Sequence, residues 1–359
     1  MTTSEATLIR KVRALAPSSS AKISSSIALG IGDDAALLRP RRGYETVLTC
    51  DWFLEGTHFL RDKYPADVVG WKSLARAVSD VAAMGGEPRC FLLSLALPQA
   101  LTGRWMDQFL VGLHRASRKL GCPLAGGDTT RQSKVHINIT VVGEVRANRA
   151  ALRSGARPGD LIYVSGRLGE AELGFRLWSA AARRRVHGRA RSTKSRLVTT
   201  RRSSSPLSWF RPGRVAVEPS LKKHLYPEPR LRLARWLTDR KLATAMMDLS
   251  DGLSSDLPRL CEASGVGAQV HAKSIPAVSV PKRNPTSQFN ALALALNGGD
   301  DYELLFTVPR SKVSSIPRRC QGLPLTAIGE VTRDRSILIA QPDGRIAPLK
   351  PGGWDPFAH

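Results

Sequence analysis

No run in the 359-residue chain approaches the roughly 20 uninterrupted apolar residues that a membrane-spanning helix needs. Met1 to Ala16 carries polar and charged residues where the apolar core of a signal peptide would lie, so the expectation is a soluble protein of the cytoplasm. The cysteines Cys50, Cys90, Cys122, Cys261 and Cys320 include no Cys-x-x-Cys pair, and no histidine cluster completes a zinc site. They read as reduced, mostly buried thiols. Also missing are the Gly-x-x-x-x-Gly-Lys-Ser/Thr phosphate loop and the His-Arg-Asp and Asp-Phe-Gly motifs of protein kinases. None of the seven histidines lies in a nucleophile-elbow context, so no residue is assigned as a general base.

Acids are scarce. The chain has 54 basic residues against 30 acidic ones, a net charge of +24, which taken alone points to a polyanionic partner. Eleven of the basic residues fall between Arg183 and Val217, where there is no Asp or Glu at all. That stretch is rich in Ser and Thr, lacks helical or strand periodicity, and contains Pro206 and Pro212-Gly213. Low apolar content with unbalanced charge does not offset the entropy of ordering a backbone, so the stretch reads as a disordered linker between two folded halves. Trp209 and Phe210 offer stacking faces for a nucleic acid, but no recognised nucleic-acid motif accompanies them.

The folded halves mix strand and helix patterns. Thr46 to Cys50 is a β-type run expected to stop at Asp51, and Val69 to Met84 has helical spacing before Gly85-Gly86. Phe91 to Leu97, Val135 to Val145 and Leu161 to Ser165 read as strands, and Trp105 to Leu120 as an amphipathic helix. Beyond the basic stretch, Pro229 to Lys241 and Leu253 to Ser264 read as helices and Ala243 to Met247 as a strand. Later apolar segments lie at Ala291 to Leu296, Glu303 to Val308 and Ala327 to Val331.

The recurring chemical feature is an Asp beside Gly or Ser after an apolar segment. It occurs in Gly30-Ile31-Gly32-Asp33-Asp34-Ala35, at Asp51, in Ser79-Asp80, in Gly126-Gly127-Asp128, in Asp248-Leu249-Ser250-Asp251-Gly252 and in Gly298-Gly299-Asp300-Asp301-Tyr302-Glu303. Any one of these fits a turn or a helix cap. Carboxylates gathered at one cleft repel one another unless cations neutralise them, and hard oxygen ligands suit Mg²⁺. Gly30-x-Gly32-x-x-Ala35 matches the dinucleotide fingerprint only in outline, because Asp33 and Asp34 would repel a pyrophosphate.

In their order and spacing these motifs, with Gly56-Thr57-His58-Phe59, Arg153-Ser154-Gly155 and Pro158-Gly159-Asp160, resemble the thiamine-monophosphate kinase family. That family lies within the aminoimidazole ribonucleotide synthetase-like superfamily, and the likeness runs over Leu8 to Phe175 and His224 to Phe357. It implies a two-domain α+β / α/β fold: an N-terminal α+β domain over 1–150 and a C-terminal α/β domain that starts at 151–182 and resumes over 218–359 after the basic insertion 183–217. It implies a homodimer through the N-terminal sheet, with the strands around Thr46 to Cys50, Phe91 to Leu97 and Val135 to Val145 at the interface.

The implied activity is transfer of the ATP γ-phosphoryl group to thiamine monophosphate, with ATP as co-substrate and several Mg²⁺ ions, and with neither membrane nor nucleic acid as a partner. Carried over by motif, Asp34, Thr49, Cys50, Asp51, Asp80, Asp128, Asp248 and Asp251 are implied at the Mg²⁺ sites. Gly127, Asp128, Arg153 and Ser250 are implied at ATP, and His58, Asp300 and Trp354 at the thiamine phosphate. Three features depart from the family pattern: Cys50 where Ser or Thr is usual, Asp300 in place of a Glu, and the length and charge of the basic insertion. The alternatives are another ATP-using member of the superfamily, of the aminoimidazole ribonucleotide synthetase or selenophosphate synthetase type, or a decayed enzyme that binds nucleic acid through its basic segment. A selenophosphate synthetase carries a reactive Cys or selenocysteine ahead of the Gly-Asp-Asp motif, and none precedes Cys50.

Overall fold

The computed structural model describes residues 5–14, 27–31, 35–179, 217–280 and 289–357. Asp34 and all of the basic stretch except Val217 therefore lie outside the described residues. Helix α1 (Glu5–Arg13) and the short pair β1 (Ile27–Leu29) and β2 (Leu37–Leu38) precede a four-stranded sheet. Its strands are β3 (Tyr44–Leu54), β4 (Glu87–Leu97), β5 (Leu124–Arg131) and β6 (His136–Arg146), in the order β3-β6-β4-β5. Helices α2 (Ala66–Ala83) and α3 (Arg104–Leu120) connect β3 to β4 and β4 to β5.

Strand alternation divides β3 cleanly. Val47 and Phe53 point into the core, while Leu48 (69% exposed) and Trp52 (53% exposed) lie on the outer face. Helix α2 carries buried residues all round, because the sheet lies on one side and α3 and the C-terminal half on the others. Gly112 lets α2 and α3 approach closely: a Cβ there would stand 1.8 Å from the Asp67 carbonyl oxygen.

The second half holds β7 (Leu161–Ser165), helix α4 over residues 170–179, α5 (Val217–Leu225), α6 (Leu231–Asp239), β8 (Ala245–Leu249), α7 (Leu253–Ser264), β9 (Gly267–His271), α8 (Ala291–Asn297), β10 (Glu303–Val308), β11 (Arg319–Cys320), β12 (Leu323–Thr332), β13 (Ile337–Ala340) and β14 (Ile346–Pro348). The sheet order is β14-β13-β9-β12-β7-β10-β8, with β11 beside β12. Every residue of β8 and β10 is buried, because α7 covers one face of the sheet and α6 the other. The α6 cluster also takes in Ala82 of α2, which joins the two halves.

The observed elements depart from the sequence expectation in three places. Strand β3 does not stop at Asp51 but runs on through Trp52-Phe53-Leu54, paired with β6 throughout, because Arg76 of α2 compensates the carboxylate. Asp128 lies inside β5 and does not follow the end of an apolar segment. Helix α5, placed by sequence with the C-terminal half, buries Leu221 and Leu225 in the N-terminal core.

Candidate active site

A cleft of about 520 Å³ opens between the two halves. From the N-terminal half it is lined by Asp51, His58, Arg76 and Asp80, and from the C-terminal half by Asp248, Ser250, Asp251, Asp300 and Trp354. Eight of the residues singled out by sequence thus share one cavity. Their placement follows from the elements: α2 presents Arg76 and Asp80 one turn apart on one face, and β8 ends in the loop that carries Ser250 and Asp251. Ser79 Oγ donates to Asp248 Oδ2 at 2.6 Å, the contact that docks α2 on β8.

The acids differ in their compensation. Thr49 Oγ1 donates to Asp80 Oδ2 at 2.5 Å. Burial nevertheless pushes the Asp80 carboxyl above its ordinary range, against the pull of Thr49, Arg153 and Arg76. Asp248 is pushed up to about 7, first by burial and then by the charge of Asp80. Burial also raises Asp51, although Arg76 Nε and Nη2 donate to its two oxygens at 3.2 and 3.3 Å. Asp251 pairs with Arg259 Nη1 at 2.5 Å, and its carbonyl oxygen accepts from the Trp354 amide at 3.0 Å. That last bond pins the C-terminal segment over the loop.

At the other end of the cleft Asp300 is held by Lys72 Nζ at 2.6 Å and by the Tyr302 hydroxyl at 2.9 Å. Burial would raise its carboxyl, but Lys72, His224 and Arg76 together hold it well below the ordinary range. Asp300 (φ 66°) and Tyr302 (φ 49°) both sit in the left-handed region, so the loop is bent to deliver this carboxylate. His58 Nδ1 accepts from the Leu54 amide at 3.0 Å. Burial and Arg76 push this ring down to about 4, so at neutral pH the proton sits on Nε2 as a donor. Tyr64, Phe175 and His224 complete an aromatic wall.

The other expected site residues lie elsewhere. The Cys50 thiol is on the outer face of β3, hydrogen-bonded with Asn138, so its side chain cannot reach the cleft that Thr49 and Asp51 face. Asp128 shares that outer face, in register with Ser94 and Asn138, and Gly127 packs on the Leu93 backbone. Arg153 does not line the cleft and acts on Asp80 through its charge. The sequence reading missed Lys72, Arg76, Tyr302, Tyr64 and His224. The available signal was the four-residue spacing Lys72, Arg76, Asp80 inside an otherwise apolar helix.

Among the described residues no group of three or more His, Cys, Asp or Glu side chains stands placed to hold a metal ion. Mg²⁺ asks less: it is commonly bound by one or two carboxylates, with substrate phosphates and water completing its shell. Asp80, half-buried, and Asp248, buried, fit that demand: they are neighbouring carboxylates that accept from hydroxyls and form no ion pair among the described residues.

A two-domain, mixed-sheet protein with an acidic cleft at the domain junction is the class these features define. The chain matches AIR synthase related protein, N-terminal domain, over residues 32–145 and AIR synthase related protein, C-terminal domain, over 157–340. It is 35% identical over 334 residues to the thiamine-monophosphate kinase of Escherichia coli (strain K12), covering 92% of this chain and 93% of that one. Its fold is similar to the crystal structure of thiamine-monophosphate kinase from Stenotrophomonas maltophilia K279a, with a TM-score of 0.75 and 34% identity over 97% of this chain and 99% of that one. AaThiL complexed with AMPPCP and TMP gives a TM-score of 0.68 at 30% identity, over 98% and 96% of the two chains. The chain belongs to the thiamine-monophosphate kinase family. Among the described residues no helix is long and apolar enough to cross a membrane.

Proposed function

We propose that this cleft transfers the γ-phosphoryl group of ATP to the phosphate of thiamine monophosphate, releasing ADP and thiamine diphosphate. The observation that carries the reading is the company the cleft keeps: Asp80 and Asp248, which accept from hydroxyls and form no ion pair among the described residues, line the same cavity as His58, Asp300 and Trp354. The relatives of the same family and the AaThiL complex with AMPPCP and TMP support the two substrates. Asp80 and Asp248 would hold Mg²⁺, which when bound would supply charge neutralisation for the phosphates. Trp354 stacks on the cationic thiamine rings, with Asp300 and Glu172 adding negative charge beside them.

The acceptor is a phosphate oxygen that is largely deprotonated near neutral pH, so no strong base is required and positioning supplies most of the rate. His58, neutral with Nε2–H free to donate, orients the acceptor phosphate without taking its proton. Purified protein with ATP, Mg²⁺ and thiamine monophosphate is expected to form thiamine diphosphate, read by chromatography. No product above a control lacking ATP overturns the reading.

The working form is a homodimer. Leu48, Trp52 and Leu92, with Val142 beside them, make the outer face of the N-terminal sheet an apolar surface. Gly127 and Asp128 belong to β5, the edge strand of that sheet, and Asp128 lies on the same outer face. Light scattering is expected to return twice the chain mass, and Leu48→Glu with Trp52→Glu to return the single-chain mass. A wild-type monomer overturns the assignment.

A further inference from the structure

Arg76 has no place in the roles carried over from the family, yet among the described residues it is the one lysine or arginine that lines the cleft. It stands on α2 midway along a ladder whose other rungs are Lys72, bound to Asp300 at the acceptor end, and Asp80, beside Asp248 at the donor end. Each rung is four residues from the next, a rise of about 6 Å, so the guanidinium lies between the two half-sites. Asp51 takes Nε and Nη2, which fixes the plane of the fork, while Nη1 has no partner among the described residues. The Arg76 guanidinium also lies 5.2 Å from the Phe53 ring centroid. A fixed, charged fork with an unpartnered Nη1 in a cleft whose other charged lining residues are carboxylates is suited to binding a phosphoryl group.

We infer that Arg76 is a catalytic residue that grips the phosphoryl group in flight, an arginine contributed in cis. In the transfer the bond from the γ-phosphorus to the β–γ bridging oxygen breaks, its electron pair leaves with ADP, and a bond forms to an oxygen of the acceptor phosphate. Charge spreads over the three equatorial oxygens as the group moves, and a preorganised guanidinium binds that arrangement more strongly than either ground state. The inference rests on the phosphoryl-transfer reading above.

The test compares wild type, Arg76→Met and Arg76→Lys in the same kinase assay, with melting curves for each. Arg76→Met is expected to lower kcat by about 10²–10³-fold with KM for ATP changed by less than about threefold. Arg76→Lys restores the charge without the fork and is expected to recover part of the loss. ADP with aluminium fluoride and thiamine monophosphate is expected to lose inhibitory strength against Arg76→Met by the same factor, while a non-hydrolysable ATP analogue binds as before. Parent-level kcat in a folded Arg76→Met, or equal weakening of the ground-state analogue, overturns the role of Arg76 and leaves the kinase reading standing. A wild-type enzyme inactive on thiamine monophosphate overturns both.

Discussion

Asp80→Asn and Asp248→Asn are each expected to lower kcat by about 10²–10³-fold, a loss on the scale of removing one strong electrostatic contact to a transferring group. Both side chains line the cleft, lie in one electrostatic field and receive hydroxyl hydrogen bonds that an amide oxygen can also accept. The substitutions therefore remove charge and little else. The Asp248 carboxyl, raised to about 7 by burial and Asp80 from an ordinary 3.8, holds a proton that the unfolded chain releases. Its ionisation penalises the fold above pH 7, and the penalty fades as pH falls toward the unfolded value. Asp248→Asn is thus expected to lose activity yet melt no lower than the parent at pH 8 in EDTA. Steady-state kinetics beside melts at pH 5 and pH 8 check this, and parent-level turnover in either variant counts against the metal role.

Glu303→Ala is expected to cost about 3–5 kcal/mol of stability at pH 7, because it strips the partner from two half-buried cations. Glu303 is 1% exposed and accepts from Ser165 Oγ at 2.5 Å, Lys223 Nζ at 3.0 Å, and Arg230 Nε and Nη2 at 2.8 and 2.6 Å. The network ties β10 to α5 and to the start of α6, so its loss loosens the join between halves. Burial alone would raise the Glu303 carboxyl, but Lys223 and Arg230 hold it down at about 2. A depressed carboxyl contributes stability that is complete above the unfolded value of 4.5 and is lost as pH falls toward 2.

Two and a half units correspond to about 3 kcal/mol lost across that window. Neighbouring Asp301 works in the opposite sense. Its carboxyl, raised to about 6 mainly by burial, takes up a proton as pH falls from 7 and so stabilises the fold before the Glu303 limb begins. Urea unfolding at pH 7, 5 and 3 should show the parent most stable near pH 5, with the acid limb flattened in Glu303→Ala. An acid limb of undiminished steepness in the variant would assign it to other groups.

The helices α2, α3 and α7 and the strands β4 and β7 were legible in the sequence because each is an apolar pattern bounded by Gly or Pro, and β6 because its residues alternate. The end of β3 was not: an Asp in an alternating run looks like a terminus until its partner on another element is known, and Arg76 lies 25 positions away. Asp128, beside two glycines, likewise gives no local sign that it lies inside a strand. Leucines 221 and 225 gave no sign of which half they would join, since an amphipathic face does not name its partner.

The local pattern of the sequence by itself determined the element types, the scarcity of acids and their concentration in a few motifs, and the family whose motifs these are. Only the tertiary structure decided which of those acids meet. Ser79 and Asp248 are 169 positions apart and Lys72 and Asp300 are 228 apart, so no local period relates them. It also turned Cys50 and Asp128 to the outer face of the sheet and brought Arg76 into the cleft. The physical reason is that strand alternation and helix phase fix which way a side chain points relative to its own element, whereas packing of the two halves fixes what lies in that direction.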